Sequence, residues 1–126
     1  MVAVASSAFI IFVEPDSIAA RPRRVIGGHI VAVLIGVLLT IILHSSFLDT
    51  IVAEKRIIFD VMAALSLCLS ILLMAVTNTE HTHAAGTALG LTLRRVYWNL
   101  VMFVLLSALL MSLIRMVLGK RMTNLL

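Results

Sequence analysis

The sequence predicts an all-α protein: a polytopic integral membrane helical bundle with two short half-helix or re-entrant segments. Two observations carry that expectation. Apolar runs from Val25 to Leu43, Ile57 to Val76 and Val96 to Ile114 each match the roughly 20 helical residues that cross a hydrocarbon core about 30 Å thick. Hydrophobic residues also make up 62% of the 126 positions, against 13% charged, and mean hydropathy is +1.17. A water-soluble bundle would need polar outer faces on those helices, and they have none. The whole chain, 1–126, reads as one transmembrane domain with spanning helices over about 25–44, 57–77 and 96–118. Shorter apolar segments cover about 2–13 and 84–93.

The first segment, Val2 to Val13, has the length of a signal-peptide core. Nothing basic precedes it, and Glu14, Pro15 and Asp16 follow where a cleavage site would lie, so a signal peptide is not expected. Its small residues Ala3, Ala5, Ser6, Ser7 and Ala8 suit close packing against another backbone.

Glu14 to Arg24 is a polar connection in which Pro15 and Pro22 break helix and Asp16 or Ser17 can cap one. Arg21, Arg23 and Arg24 have two readings, an entry field for an anion or, preferred, the orientation signal of a membrane helix. Lys and Arg divide almost evenly between the two sides under either topology of the short segments, so charge selects no orientation.

The first long run opens with Gly27, Gly28 and His29. Gly28, Ala32, Gly36 and Thr40 then recur every four residues, a small stripe for close helix packing that His44 extends. Asp49, Glu54, Lys55 and Arg56 form a turn of cancelling charge, and Asp60, one turn inside the second run, is expected to pair with Arg56. Ala63, Ser66 and Ser70 give the second run a small face, Leu69, Leu72 and Leu73 face lipid, and the single Cys68 reads as a core filler. Thr77 to His83 is a polar loop. The short segment after it carries Gly86 and Gly90 at GxxxG spacing, which is expected to let a backbone come near on that side, and ends at Arg94 and Arg95. Tyr97 and Trp98 open the third run at headgroup level, and Arg115, Lys120 and Arg121 lie at its end.

By length the elements run short, long, long, short, long. One further long run ahead of Met1 would turn this into two copies of long, short, long, the order of a duplicated transporter with a broken helix in each half.

Ser6-Ser7-Ala8-Phe9, Pro15-Asp16-Ser17, Arg21-Pro22-Arg23 with Gly27-Gly28-His29, and Glu80-His81-Thr82-His83-Ala84-Ala85-Gly86-Thr87-Ala88-Leu89-Gly90 together resemble the HPP family of small integral membrane proteins, along nearly the whole chain. The His-Pro-Pro signature of that family reads His81-Thr82-His83 here, without either proline, and the usual first helix is not seen before Met1. The resemblance implies a four-helix membrane region and, through plant chloroplast relatives, transport of nitrite.

A monovalent anion in a low-dielectric site needs hydrogen-bond donors and positive potential. Gly27-Gly28 and Ala84-Ala85-Gly86 read as helix starts, where free N–H groups are available. His29, His81 and His83 sit at those starts, and imidazole can both donate to an anion and take up a proton near neutral pH. The expected anion site therefore comprises His29, Gly27, Gly28, His81, His83, Gly86, Arg21 and Arg23. The competing reading makes each histidine a loop or cap residue.

No metal is expected, because Glu80 is the only added ligand near His81 and His83. No cofactor is expected, and no nucleophile–base pair, phosphate loop or cofactor fingerprint marks an enzyme. Basic residues lie beside apolar runs rather than along a polar face, so the net charge of +4 points to lipid headgroups or a small anion and away from nucleic acid. The expected setting is the plasma membrane of a prokaryote, as a homo-oligomer. A packing subunit that transports nothing is the alternative.

Overall fold

The computed structural model describes residues 2–45, 56–93 and 98–119. It contains α1 (Val2–Val13), a 3-10 turn at Ile18–Ala20, α2 (Pro22–Leu43), α3 (Arg56–Val76), α4 (Thr82–Thr92) and α5 (Trp98–Leu118). The described residues form a helical membrane bundle. Helices α2, α3 and α5 are long and apolar enough to cross a bilayer, with mean hydropathies of 2.6, 2.5 and 2.5 over their best windows. At 1.5 Å per residue, α2 is about 33 Å long, whereas α1 and α4 reach only about 16–18 Å and cannot cross alone.

Helix α2 is the hub, packed against α3, α4 and α5, while α1 lies against α4 and α5. The interior is built from small side chains. Ala32, Ala84, Ala85 and Ala88 meet Val31 and Met74 in one cluster. Ile11, Ala20, Val25, Ala108 and Met111 tie α1 and its turn to α2 and α5. Large side chains such as Leu34, Leu38, Ile41, Leu65, Leu72, Leu106 and Leu110 point outward. This inversion of the water-soluble pattern follows from the solvent: lipid tails are as apolar as leucine, so helices associate through close backbone approach.

The stripe on α2 makes that approach. A Cβ on Gly36 would lie 3.0 Å from both the Cα and the carbonyl oxygen of Ala88, and 2.9 Å from the Leu91 Cβ. Thr40, buried one turn later, has its hydroxyl 3.0 Å from the Leu91 carbonyl oxygen, a group near the C-terminal end of α4. His44 caps α2, its Nδ1 3.0 Å from the Thr40 carbonyl oxygen. On α3 the buried face is Ala63, Ser66, Ser70 and Met74, and the two serine hydroxyls bond carbonyls of their own helix.

Helix α3 ends at Val76, and Asn78 just beyond it has a φ of 53°, the left-handed conformation that asparagine tolerates better than most residues. Thr79 N–H bonds the Met74 carbonyl and Asn78 N–H the Ala75 carbonyl, the paired closing bonds of a Schellman cap. The turn redirects the chain so that His81 becomes the N-cap of α4.

Three expectations are corrected here. Helix α2 starts at Pro22, with Arg21 as N-cap, because proline fits the first helical position. Gly27 and Gly28 therefore lie well inside the helix, beyond its free N–H groups. Cys68 is exposed on the outer face of α3 and fills no core. Gly86 and Gly90 do not form a paired contact: a Cβ on Gly86 would meet the Ala3 Cβ at 3.5 Å, and one on Gly90 would meet nothing within 4 Å among the described residues. Asp60 is exposed. The Arg56 side chain, and Asp49, Glu54, Lys55, Arg94, Arg95, Tyr97, Lys120 and Arg121, fall outside what is described.

Candidate functional site

Ser7 from the middle of α1, His29 from the third turn of α2 and His81 at the start of α4 meet in the interior, each with no exposed surface. The Ser7 Oγ lies 2.8 Å from His81 Nε2 and 3.1 Å from His29 Nε2. His81 Nδ1 is 2.8 Å from the Ala19 carbonyl oxygen, and Thr87 Oγ1 is 3.4 Å from His29 Nδ1. The two imidazole centroids are 5.6 Å apart.

Gly28 makes room for this meeting. A Cβ there would sit 2.8 Å from the His81 Cβ and 3.1 Å from the Thr79 carbonyl oxygen. Gly27 serves the same turn, since its Cβ would lie 2.5 Å from the Thr79 Cγ2. The expected role of these glycines, exposing N–H groups at a helix start, gives way to one of backbone clearance.

Hydrogen-bond chemistry restricts the protons. A carbonyl only accepts, so His81 Nδ1 carries the proton it donates to Ala19. In neutral His81 the Nε2 is then an acceptor, and it must receive the Ser7 hydroxyl proton. Ser7 Oγ also lies 2.9 Å from the Ala3 carbonyl oxygen, but that oxygen already serves the helix, and the alternative would set two lone pairs face to face at His81. With its proton committed, Ser7 accepts from His29 Nε2–H, which leaves His29 Nδ1 to accept from Thr87. One directional chain results: Thr87 to His29 to Ser7 to His81 to Ala19. Burial lowers the His81 pKa below its ordinary value of 6.5, the Ala19 bond opposes this, and nearby His83 lowers it further. His81 is thus neutral at neutral pH.

Other expected site residues are placed differently. His83 is partly buried, its ring 5.8 Å from that of His81. Gly86 and Thr87 line an open cleft of about 460 Å³ between α1, α4 and α5, together with Ala3, Gly90, Leu100 and Val104. Arg21 and Arg23 are exposed at the entry to α2 and do not join the histidines. Arg24 instead pairs with Glu80 at 2.5 Å and donates to the Asn78 Oδ1 at 2.8 Å, which clamps the turn carrying His81. Among the described residues no three His, Cys, Asp or Glu side chains gather as metal ligands, and both His81 nitrogens are already engaged.

Sequence reasoning missed Ser7 as a member of the site. It read as one small packing residue among several, and its only signal was a hydroxyl within an apolar segment. The contact also supplies a serine–imidazole pair that the sequence did not reveal.

The pattern of short helices, buried histidines and small-residue packing extends through a chain whose residues 1–124 match the family model "HPP, transmembrane region". This chain belongs to the HPP transmembrane region family. Within the HPP family's span, a transmembrane protein from Dictyostelium discoideum is 36% identical over 85 residues, which cover 68% of this chain and 27% of that protein. The chain thus spans about a quarter of the length of that curated relative. No solved structure matches this HPP chain.

Proposed function

We propose that this HPP-family protein moves a small inorganic monovalent anion, such as nitrite, across the membrane, accompanied by a proton. The observation that carries the reading is the bridging of two fully buried imidazoles by one serine hydroxyl. An unpaired anion in such an interior costs several kcal/mol. A resting pair of neutral imidazoles avoids a permanent buried charge, and a proton taken up as the anion enters supplies the compensating cation when it is needed. The cleft at Thr87 brings an approach path beside His29.

In this reading the protein is a carrier rather than an enzyme, and it needs no cofactor. It works in the plasma membrane of a prokaryote as a homo-oligomer, because three spanning helices enclose a polar path poorly. Reconstitution of the full chain in liposomes tests the anion assignment: nitrite entry should exceed that of protein-free vesicles and saturate with nitrite concentration. Flux no greater than the protein-free rate overturns it.

A second reading is favoured by the hydrogen-bond count. Each imidazole nitrogen in the pair has a partner within the protein, as expected of a pin that fixes α1 and α4 to α2 in a non-transporting subunit. That reading predicts that His29→Ala and His81→Ala leave cellular nitrite sensitivity unchanged while Gly36→Leu abolishes accumulation of the protein.

A further inference from the structure

We propose that Ser7 is a proton relay: its hydroxyl takes a proton from His29 Nε2 while passing its own to His81 Nε2. The inference deepens the transport reading and rests on it for its purpose, but the geometry stands independently. Ser7 lies within hydrogen-bond distance of both Nε2 atoms, and each is the inner end of an imidazole whose Nδ1 points away, toward Thr87 on one side and Ala19 on the other. Thr87 lines the cleft between α1, α4 and α5. Ala19 belongs to the partly exposed connection ahead of α2. The chain of polar atoms therefore links two regions that the packed interior otherwise separates.

The step balances. Water in the cleft gives a proton to the Thr87 hydroxyl as the original Thr87 O–H proton passes to His29 Nδ1, which makes an imidazolium. His29 Nε2–H then breaks as Ser7 O–H forms, and the original Ser7 O–H breaks as His81 Nε2–H forms. His29 is left neutral with its proton on Nδ1, and Ser7 remains a neutral hydroxyl. His81 carries the charge and releases its Nδ1 proton to water at the Ala19 side. The chain resets when each imidazole turns and exchanges its ring proton with water on its own side, with no net charge moved, and the Ser7 hydroxyl rotates back toward His81.

The surroundings leave the two imidazoles to set this transfer. Facing them are Ser7 from α1, the Ala19 carbonyl from the turn, and Thr87 and His83 from α4. Glu80, beside His81 in sequence, is paired with Arg24.

The test uses full-length protein in vesicles loaded with a pH-sensitive dye, with nitrite entry measured in parallel and protein-free vesicles correcting for nitrous acid that crosses lipid unaided. Ser7→Ala should lower protein-dependent acid entry at least tenfold, and Ser7→Cys, which keeps a transferable proton, should restore part of it. Acid entry in Ser7→Ala equal to that of the unsubstituted chain overturns the relay while leaving nitrite transport intact. If the unsubstituted chain carries no nitrite, the transport reading falls and nitrogen-15 NMR of its histidines decides the relay. Protons on His29 Nε2 and His81 Nδ1 at pH 7.5 support it, and any other assignment overturns it. The same spectra decide if Ser7→Ala does not fold.

Discussion

The Ser7 hydroxyl sits 2.8 Å from His81 Nε2 across 74 positions of chain, and it holds α1 to the start of α4. Because Ser7 and both histidines are fully buried, loss of the hydroxyl strands the His81 Nε2 acceptor and the His29 Nε2–H donor away from water. Ser7→Ala should destabilise the fold by at least about 1–3 kcal/mol, the cost of a single orphaned buried polar group, since both Nε2 atoms lose their partner. Thermal unfolding in detergent measures this, and an unchanged midpoint would mean that the contact contributes little.

Gly36 and Gly90 should respond in opposite directions to the same substitution. A methyl group on Gly36 meets Ala88 backbone at 3.0 Å, whereas one on Gly90 meets nothing within 4 Å among the described residues. Gly36→Ala should cost about 1–3 kcal/mol through overpacking. Gly90→Ala should be neutral or stabilising by about 0.5–1 kcal/mol, since alanine is the better helix former. Unfolding midpoints of the two variants in one detergent give the comparison.

Asn78 should tolerate glycine and resist valine. Its φ of 53° is open to glycine and costs an L-residue roughly 1–2 kcal/mol, more for a β-branched one. The Arg24–Glu80 pair beside it is partly exposed, at 20% and 49% of the two side chains. Glu80→Gln should accordingly shift stability by less than about 1 kcal/mol, and the shift should shrink as salt rises. A large, salt-independent loss would show that the clamp at the His81 turn matters more than its exposure implies.

Stability should fall on the acid side because of His81. Its folded-state pKa lies below the ordinary 6.5 through burial, so above that pH both folded and unfolded chains hold a neutral ring and stability is complete. As pH drops below 6.5 the unfolded chain binds the proton first, and stability declines until the folded ring also protonates. Unfolding midpoints from pH 8 to 5 should show this decline, and His81→Gln should flatten it. A variant whose acid-side slope equals that of the unsubstituted chain would contradict the assignment.

The membrane bundle was legible in the sequence because its signal is local. Apolar length identifies α2, α3 and α5, and four-residue spacing identifies the face on which Gly28, Ala32, Gly36 and Thr40 are buried. The start of α2 was misread because Arg23 and Arg24 look like interface residues, although Pro22 fixes the first turn ahead of them. Cys68 was misread for the opposite reason. Small residues were assumed to lie inside, yet its position on α3 is out of phase with Ala63, Ser66 and Ser70. The polar cluster was legible only as two separate histidine motifs. Ser7 joins them through tertiary packing, and no spacing rule relates a hydroxyl on α1 to an imidazole at the N-cap of α4.

The most direct measurement of the central claim compares nitrite entry and internal acidification in vesicles carrying the unsubstituted chain, His29→Ala or His81→Ala. The account predicts that the unsubstituted chain carries nitrite and protons together, and that each alanine variant, inserted to the same level, loses both at least tenfold. Equal nitrite entry in all three would contradict it and leave the histidines as helix-packing residues.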